Sequence, residues 1–346
     1  MERPREIYAE WLRIIAAITV VFQHTVTSAW YVVPVDTSAF FQLNFLNSLV
    51  RYGVGIFIMI SGAFMLSPKY PHTPHKILTR NLPRILMLLV FWVVTYGVIG
   101  EFLDGGTTTK DLLKTPILLF THPQPHLWFL YTLAGLYALT PAMRVFTANA
   151  SRRMVLYVIA LFFTFGLALP TINHLLLKLA HFQLYKNIGI QGCTTFTGFY
   201  LTGFYIAHFG IGKMGRRILY GAALISWFIA FYFSTYFSIL RDEPNEFFFG
   251  NFRPMTFLVA VAIFCFFREK LRDKMTTNRH ILNISKCMLG VYLVHPLLIK
   301  CFYGLDFSLL DYSPLITAPI TAIVIFAIAF IAVYLFRMIP GVKKIL

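Results

Sequence analysis

Apolar residues run in long blocks along this chain, and the polar residues are gathered in the short segments between the blocks. A helix needs about 20 consecutive, mainly apolar residues to cross a bilayer. Ten blocks approach that length, which predicts an all-α polytopic integral membrane protein with ten spanning helices. The predicted spans are residues 8–30, 46–67, 82–101, 126–146, 153–171, 191–209, 216–238, 252–268, 284–304 and 313–337.

The composition agrees with this pattern and changes little in it. The chain has 346 residues, of which 58% are hydrophobic and 13% are charged. Soluble globular domains carry about 25% charged residues, so the composition excludes most soluble classes as well as disorder. We find no internal repeat and no low-complexity tract. We therefore expect one transmembrane domain over residues 1–346, with no attached soluble domain.

The net charge of +16 is typical of nucleic-acid-binding proteins, but the distribution of the charges indicates something else. The two termini and alternate loops between the spans hold 21 of the 30 Lys and Arg residues; these loops are residues 67–84, 144–153, 210–217 and 268–286. Basic residues accumulate in the cytoplasmic loops of membrane proteins. We therefore predict that both termini are cytoplasmic, that the helix count is even, and that nucleic acid is not a partner.

The loops of the opposite set offer few ligands for a metal. Residues 102–125 and 172–190 form two long predicted outer loops, which either shape a site or serve as plain connectors. His122 and His126 are four residues apart, but Pro123 and Pro125 disrupt the helix that such a metal pair needs. The four cysteines have neither metal-ligand spacing nor the pattern of a disulfide framework. We expect no metal.

The first span carries three ionisable residues, Glu10, Arg13 and His24, although such residues are costly inside a membrane. Arg13 and His24 are 11 residues apart, which places them within about 20° on one helical face and about 16 Å apart along the axis. Glu10 is one turn below Arg13 and can pair with it. Either His24 is a general base, which the ordinary pKa of histidine suits, or Arg13 snorkels and His24 is a structural core residue.

A second group of cations comes before the third span. Lys76, Arg80 and Arg84 are spaced four residues apart and are expected to share a helical face. Arginine binds phosphate well through its planar fork of donors, although membrane anchoring is the more common role of such residues. A cationic cytoplasmic entrance combined with a deeper histidine would suit a long ligand with a phosphate head and a reactive tail.

Further candidates are found near the fourth and ninth spans. His126 and Trp128 begin the fourth span. Tyr292 and His295 lie in the ninth, and His295 directly precedes Pro296. His295 either lines the same cavity as His24 or binds a carbonyl group that is freed by the proline.

Four segments of the sequence together resemble the acyltransferase 3 family of integral membrane acyltransferases. The first is similar to the opening helix of that family, the second to its FFxxSG helix, the third to the branch that contains the enterobacterial common antigen O-acetyltransferase, and the fourth to its YLxHP motif. The segments are Glu10 to His24, Val54-Gly-Ile-Phe57-Ile-Met-Ile-Ser61-Gly62, His126-Leu-Trp128-Phe-Leu-Tyr131 through Pro141, and Gly290-Val-Tyr292-Leu-Val-His295-Pro296.

The resemblance implies an O-acetyltransferase that moves an acetyl or other acyl group from cytoplasmic acetyl-CoA to a hydroxyl of a cell-envelope glycan or lipid-linked saccharide. It implies a location in the cytoplasmic (inner) membrane of a bacterium. His24 and Arg13 match the histidine and arginine of the family's first helix, with Glu10 as the opening acid. Arg84 matches the second arginine of the family's Arg-x-x-Arg pair, but Asn81 occupies the first position and Arg80 is its neighbour.

The interpretation that follows assigns a role to each group of residues. His24, Glu10 and Arg13 are the expected catalytic residues. Acetyl-CoA, the acyl donor, is expected to bind to Arg13, Lys76, Arg80 and Arg84. The acceptor is expected to bind near His126, Trp128, Tyr292 and His295, and between the two long outer loops.

Two other functions stay open. One is a transporter or flippase of glycan precursors, which would work without CoA; we find neither an inverted repeat nor paired broken helices in the sequence. The other is a membrane-bound O-acyltransferase of the lipidating type, centred on a histidine such as His295.

Overall fold

The computed structural model describes residues 4–103, 124–180, 182, 191–303 and 309–339. Thirteen helices and a two-stranded antiparallel sheet account for most of this part of the chain. The strands are β1 (Arg5–Glu6) and β2 (Met275–Thr276), and the helices are α1 (Ile7–Trp30), α2 (Ser38–Ser48), α3 (Gly53–Met65), α4 (Pro74–Lys76), α5 (Leu82–Leu103), α6 (Trp128–Asn149), α7 (Arg152–Leu161), α8 (Leu169–Ala180), α9 (Gln191–Phe209), α10 (Lys213–Arg241), α11 (Pro254–Lys270), α12 (Arg279–Tyr303) and α13 (Pro314–Phe336).

Nine helical stretches in the described part of the chain are long and apolar enough to cross a bilayer. They correspond to nine of the ten predicted spans, and the tenth prediction, residues 191–209, coincides with the helix α9. The protein is an all-α polytopic membrane protein, as predicted.

Two of the longer spans contain a short π-helical segment. Ile77–Asn81 joins α4 to α5, and Phe162–Ala168 joins α7 to α8. A π-helical segment pairs each residue with the fifth rather than the fourth one along, which shifts the faces of the helix on either side of it.

The second predicted span, residues 46–67, is wrong in its beginning. Helical structure starts at Ser38, where the Thr37 hydroxyl caps α2 by accepting a hydrogen bond from the Phe40 amide. The stretch Ser38–Met65 is then interrupted by a turn over residues 49–52. Irregular backbone at membrane depth is tolerated only where protein surrounds it or where it lines a cavity. The interruption is therefore expected to be surrounded by protein or to line a cavity.

The predicted outer loops are only partly described. α8 continues to Ala180, so residues 172–180 are helical rather than part of a loop. Apolar residues at 172, 175, 176 and 179 continue the helical period across the predicted boundary. Residues 104–123, 181 and 183–190, which make up most of the remainder of both predicted loops and include His122, lie outside the described residues.

Helix α1 is the central element of the fold. It packs against α3, α12 and α13, and many of its side chains are buried. The pairing of β1 with β2 ties its first turn to the segment that precedes α12. This placement holds the face that carries Arg13 and His24 between several other helices.

A seam of glycines joins α3 to α9. A Cβ atom added to Gly62 would lie 1.8 Å from the carbonyl oxygen of Tyr200, and one added to Gly203 would lie 1.9 Å from that of Met59. Only glycine allows the two backbones to approach this closely. The Ser61–Gly62 motif is therefore a packing motif at Gly62, while Ser61 faces a cavity next to the seam.

Candidate functional site

His24 lies on α1 and contacts a second histidine from α12. Its Nδ1 atom is 3.2 Å from Nε2 of His295, and the centres of the two rings are 4.9 Å apart. His295 is fully buried, whereas His24 is partly accessible. The two residues form a histidine pair within the membrane-spanning part of the fold.

The proline that follows His295 explains how its ring is held. Nδ1 of His295 is 2.7 Å from the carbonyl oxygen of Tyr292. In a regular helix that carbonyl would accept a hydrogen bond from the amide of residue 296, but Pro296 has no N–H. The freed carbonyl is therefore bound by the side chain one turn away, which is the second of the two alternatives for His295.

This hydrogen bond decides which nitrogen atoms of the pair carry protons. A carbonyl oxygen only accepts, so Nδ1 of His295 is the donor, and Nε2 of a neutral His295 is then an acceptor. Nδ1 of His24 must donate to it, which leaves Nε2 of a neutral His24 with a lone pair. The arrangement assigns to His24 the tautomer that a base acting through Nε2 requires.

Two aromatic residues support the histidine pair. The hydroxyl of Tyr292 donates to the backbone oxygen of His126 over 2.5 Å, which fixes the entry to α6 against α12. The ring of His126 lies 4.6 Å from that of Tyr96 and 6.2 Å from that of His295. His126, Tyr292 and His295 are all buried, so they pack inside the protein rather than line an open surface.

A cavity of about 770 Å³ lies on the predicted cytoplasmic side of this pair. Its wall combines apolar side chains from α3, α5, α6 and α12 with cations at the entrance. The cations are Arg5, Arg13, Arg84, Lys286 and Arg337.

Part of the cavity wall consists of aromatic side chains that pack against residues around the histidine pair. Phe57 and Phe129 line it, with ring centres 6.0 Å apart, and Phe129 packs 5.1 Å from the ring of Tyr292. Tyr292 in turn holds His295 through its carbonyl. The rings of Phe129 and Tyr292 therefore connect the cavity wall to His295.

Glu10 and Arg13 form the ion pair that the sequence predicts. Nη1 of Arg13 is 2.5 Å from Oε1 of Glu10, and Nη1 of Arg5 is 3.9 Å from the same oxygen. Glu10 is buried, while the side chain of Arg13 stays 27% exposed and reaches the cavity wall, where it lies over the Phe64 ring. Glu10 therefore orients an arginine that can still bind a ligand.

A second charged cluster lies on the opposite, predicted outer side of His24. Nη1 of Arg51 is 2.8 Å from Oε1 of Glu246, and the hydroxyl of Tyr31 donates to Oε2 of the same carboxylate. Burial raises the pKa of Glu246, but Arg51, Tyr31 and His24 lower it further, so that the net pKa lies below its ordinary value. The carboxylate is therefore charged.

Comparison with known families decides what kind of protein carries these features. A family model described as "Acyltransferase domain" (Acyl_transf_3) matches residues 6–338. The chain belongs to this acyltransferase family. The family match and the spanning helices together identify the chain as a membrane acyltransferase. Searches of curated proteins and of solved structures each returned no significant match, so the resemblance to the enterobacterial branch stays a prediction.

The structure brings two of the four predicted donor-binding residues of the acyltransferase to the cavity wall. Arg13 and Arg84 line the cavity, but Lys76 and Arg80 are not part of its wall. The π-helical segment Ile77–Asn81 shifts the faces of the helix, so the three cations do not share one regular face. Asn81 lines the cavity in their place.

The remaining predictions concern the acceptor and metals. Trp128 stacks on Phe196, with ring centres 5.1 Å apart, and its role in acceptor binding stays a prediction. Within the described ranges no group of three or more His, Cys, Asp or Glu side chains could hold a metal ion.

Sequence reasoning missed Arg51 and Glu246. Arg51 lies inside the predicted second span, and an ionisable residue within a span is a functional candidate by default. Its partner could not be found from spacing, since 195 residues separate the two.

Proposed function

We propose that this acyltransferase moves an acetyl or other acyl group from cytoplasmic acyl-CoA to a hydroxyl of a cell-envelope glycan or lipid-linked saccharide, with His24 as the general base. The observation that carries the proposal is the pair of contacts from His24 Nδ1 to His295 Nε2 (3.2 Å) and from His295 Nδ1 to the Tyr292 carbonyl oxygen (2.7 Å), which together leave Nε2 of a neutral His24 with a lone pair. The proposed location is the cytoplasmic membrane of a bacterium.

The shape and charge of the cavity support acyl-CoA as the donor. Phosphates of CoA would bind among the cations at the entrance, of which Arg13 and Arg84 belong to the predicted set. The apolar interior suits the pantetheine arm and the acyl chain. Arg13 and His24 are about 16 Å apart along α1, so a long arm is needed to bring a thioester from the entrance to the base.

The proposed reaction is a direct transfer. Nε2 of His24 takes the proton of the acceptor hydroxyl while the hydroxyl oxygen attacks the thioester carbonyl carbon. The carbon–sulfur bond then breaks, and the proton on His24 passes to the leaving thiolate, which gives CoA and the acylated acceptor. His295 keeps His24 oriented and accepts from its Nδ1 throughout, as the third group of a catalytic triad does.

In this mechanism Tyr292 and His126 are positioning residues rather than acceptor ligands. Tyr292 binds the His126 backbone through its hydroxyl and His295 through its carbonyl, so it couples α6 and α12 to the histidine pair. Phe57 and Phe129 would turn aside to admit the thioester and would otherwise keep cytoplasmic water from His24.

The test of the donor site is calorimetric binding of acetyl-CoA to the purified protein. Arg84→Ala should weaken binding roughly 10-fold or more, because a charge-assisted hydrogen bond contributes about 1.5–3 kcal/mol. Arg80→Ala is the matched control, since Arg80 is a neighbouring cation that is not on the cavity wall. Equal loss in both variants would mean a general electrostatic effect rather than a site, and no binding by the wild type would favour a transporter.

The test of the base uses the same protein with radiolabelled acetyl-CoA in native membranes. His24→Ala should lower acetyl transfer by about 10²–10⁴-fold while acetyl-CoA binding is kept. His280→Ala, at an exposed histidine of α12, is the control and should transfer normally. Transfer by His24→Ala at the wild-type rate would exclude the assigned role.

A further inference from the structure

The interruption of the second span places a buried cation, Arg51, at nearly the same depth in the fold as the proposed base His24. At the start of α3, a Cβ atom on Gly53 would meet Ala16, Thr19 and Val20 of α1, so the first residue of α3 lies at their depth. Arg51 is two residues before Gly53, and His24 is one helical turn beyond Val20. The two side chains therefore begin at nearly the same depth in the fold.

The hydrogen bonds of Arg51 account for only part of its donors. Its Nε donates to Oδ1 of Asn47 over 2.7 Å, and its Nη1 binds Glu246. The side chain is only 7% exposed, and its Nη2 atom is buried with no hydrogen-bond partner among the described residues. A buried guanidinium nitrogen without a partner is costly, so a purely structural ion pair leaves this donor unexplained.

The neighbouring amide shows the same deficit. Because Arg51 Nε donates to Asn47, the oxygen of that amide must face the arginine and the Nδ2 group must point elsewhere. Nδ2 of Asn47 is likewise buried without a partner in the described structure. Two adjacent side chains thus hold unused donors, which is the arrangement that a ligand with acceptor oxygens would satisfy.

We infer that Arg51 and Glu246 bind a neutral, hydroxyl-bearing part of the acceptor saccharide and so position the hydroxyl that His24 deprotonates. This inference rests on the proposed function for its catalytic meaning. Arg51 and Glu246 would then select the acceptor, and the class of acceptor that they select is a neutral polyol.

The charges of the pair favour a neutral polyol over an anion. Glu246 balances the charge of Arg51, and its side chain is 49% exposed, so an anionic ligand would meet an ionised carboxylate. A sugar hydroxyl both accepts and donates, and it can therefore take a hydrogen bond from Arg51 and give one to Glu246. The ring of Tyr31, 50% exposed and hydrogen-bonded to Glu246 through its hydroxyl, adds an aromatic surface of the kind that sugars pack against.

The experiment measures saccharide binding and acetyl transfer separately. Binding is observed by saturation-transfer NMR on the purified full chain without acetyl-CoA, with methyl glucoside as the neutral probe and methyl glucuronide as the anionic one. Arg51→Lys keeps the positive charge but removes the planar guanidinium group with its several donors. Glu246→Gln keeps the shape of the side chain but removes its negative charge. Glu243→Gln makes the same charge change on an exposed residue of the same segment and is the matched control.

We expect methyl glucoside to bind to the wild type and to Glu243→Gln, with the signal lost in Arg51→Lys and Glu246→Gln. Acetyl transfer in native membranes should fall at least about 10-fold in the same two variants, while acetyl-CoA binding stays within twofold of the wild type. Glu246→Gln decides the matter if Arg51→Lys fails to fold, because its carboxamide can still accept from Arg51.

Three outcomes would overturn the inference: no saccharide binding by the wild type, retained binding in Glu246→Gln, or preferential binding of methyl glucuronide. Failure of the proposed function looks different. In that case the wild type would bind methyl glucoside through Arg51 and Glu246 but would neither bind acetyl-CoA nor transfer acetyl groups.

Discussion

Two carboxylates in this protein each join a cation to a tyrosine, one near each end of the spanning helices. On the predicted cytoplasmic side, Oε1 of Glu6 is 2.7 Å from Nζ of Lys69 and 2.9 Å from the hydroxyl of Tyr70. On the predicted outer side, Glu246 binds Arg51 and Tyr31. The bonding pattern is the same, and the carboxylate pKa lies below its ordinary value in both clusters.

The clusters differ in which partner is withdrawn from water. The side chain of Lys69 is 65% exposed and that of Glu6 is 20% exposed, whereas Arg51 is 7% exposed and Glu246 is 49% exposed. At Glu6 the cation is hydrated and the pair holds β1 to the loop after α3. At Glu246 the cation is buried and depends on its partners. The same combination of groups therefore forms an exposed ion pair between two segments at one end, and at the other end a buried cluster in which Nη2 of Arg51 has no hydrogen-bond partner among the described residues.

The largest effect should come from replacing each carboxylate by leucine. Glu246→Leu leaves Arg51 buried and unpaired, so it should lower the free energy of unfolding by about 3 kcal/mol, the lower end for a buried charge that loses its partner. Glu6→Leu leaves a hydrated Lys69 and should cost about 0–1 kcal/mol. Denaturant unfolding in detergent measures both, and equal losses would mean that burial of the cation does not distinguish the clusters.

A double variant separates the structural part of the Glu246 cluster from its binding part. Arg51→Leu combined with Glu246→Leu removes both charges, so stability should return to within about 1 kcal/mol of the wild type. Methyl glucoside binding should stay lost, because the donors and acceptors are gone. Chemical unfolding and saturation-transfer NMR on one preparation give both values. A double variant that regains stability and still binds the sugar would show that the pair is structural only.

Local geometry in this protein was predictable from the sequence because helical periodicity determines it. The 11-residue spacing correctly places Arg13 and His24 along one helix, and the ion pair between Glu10 and Arg13 is confirmed. The alternative in which His295 binds a carbonyl freed by Pro296 is also confirmed, since only the local helical bonding pattern is involved.

Contacts between distant segments could not be derived in the same way. His24 and His295 are 271 residues apart, and no periodicity encodes which side chains of two packed helices meet. The π-helical segment Ile77–Asn81 likewise has no clear sequence pattern, and it removes Arg80 from the face where regular spacing puts it. The break at residues 49–52, which carries Arg51, could not be predicted either, because it lies inside an otherwise continuous apolar stretch.

The smallest expected effect is on the pH dependence of stability, and it sharpens the comparison between the clusters. Burial raises the pKa of both carboxylates, but Lys69 and Tyr70 at Glu6, and Arg51, Tyr31 and His24 at Glu246, lower each pKa below the ordinary 4.5. A carboxyl whose pKa is lower in the folded state contributes stability above its unfolded pKa and loses it as the pH falls through the folded one. The melting temperature of the wild type should therefore drop as the pH falls below about 4.5, and the profiles of Glu6→Gln and Glu246→Gln should be flatter there. Glu246→Gln should flatten the profile more, since its cation is buried and less screened by solvent, whereas a larger effect of Glu6→Gln would reverse the ranking of the two clusters.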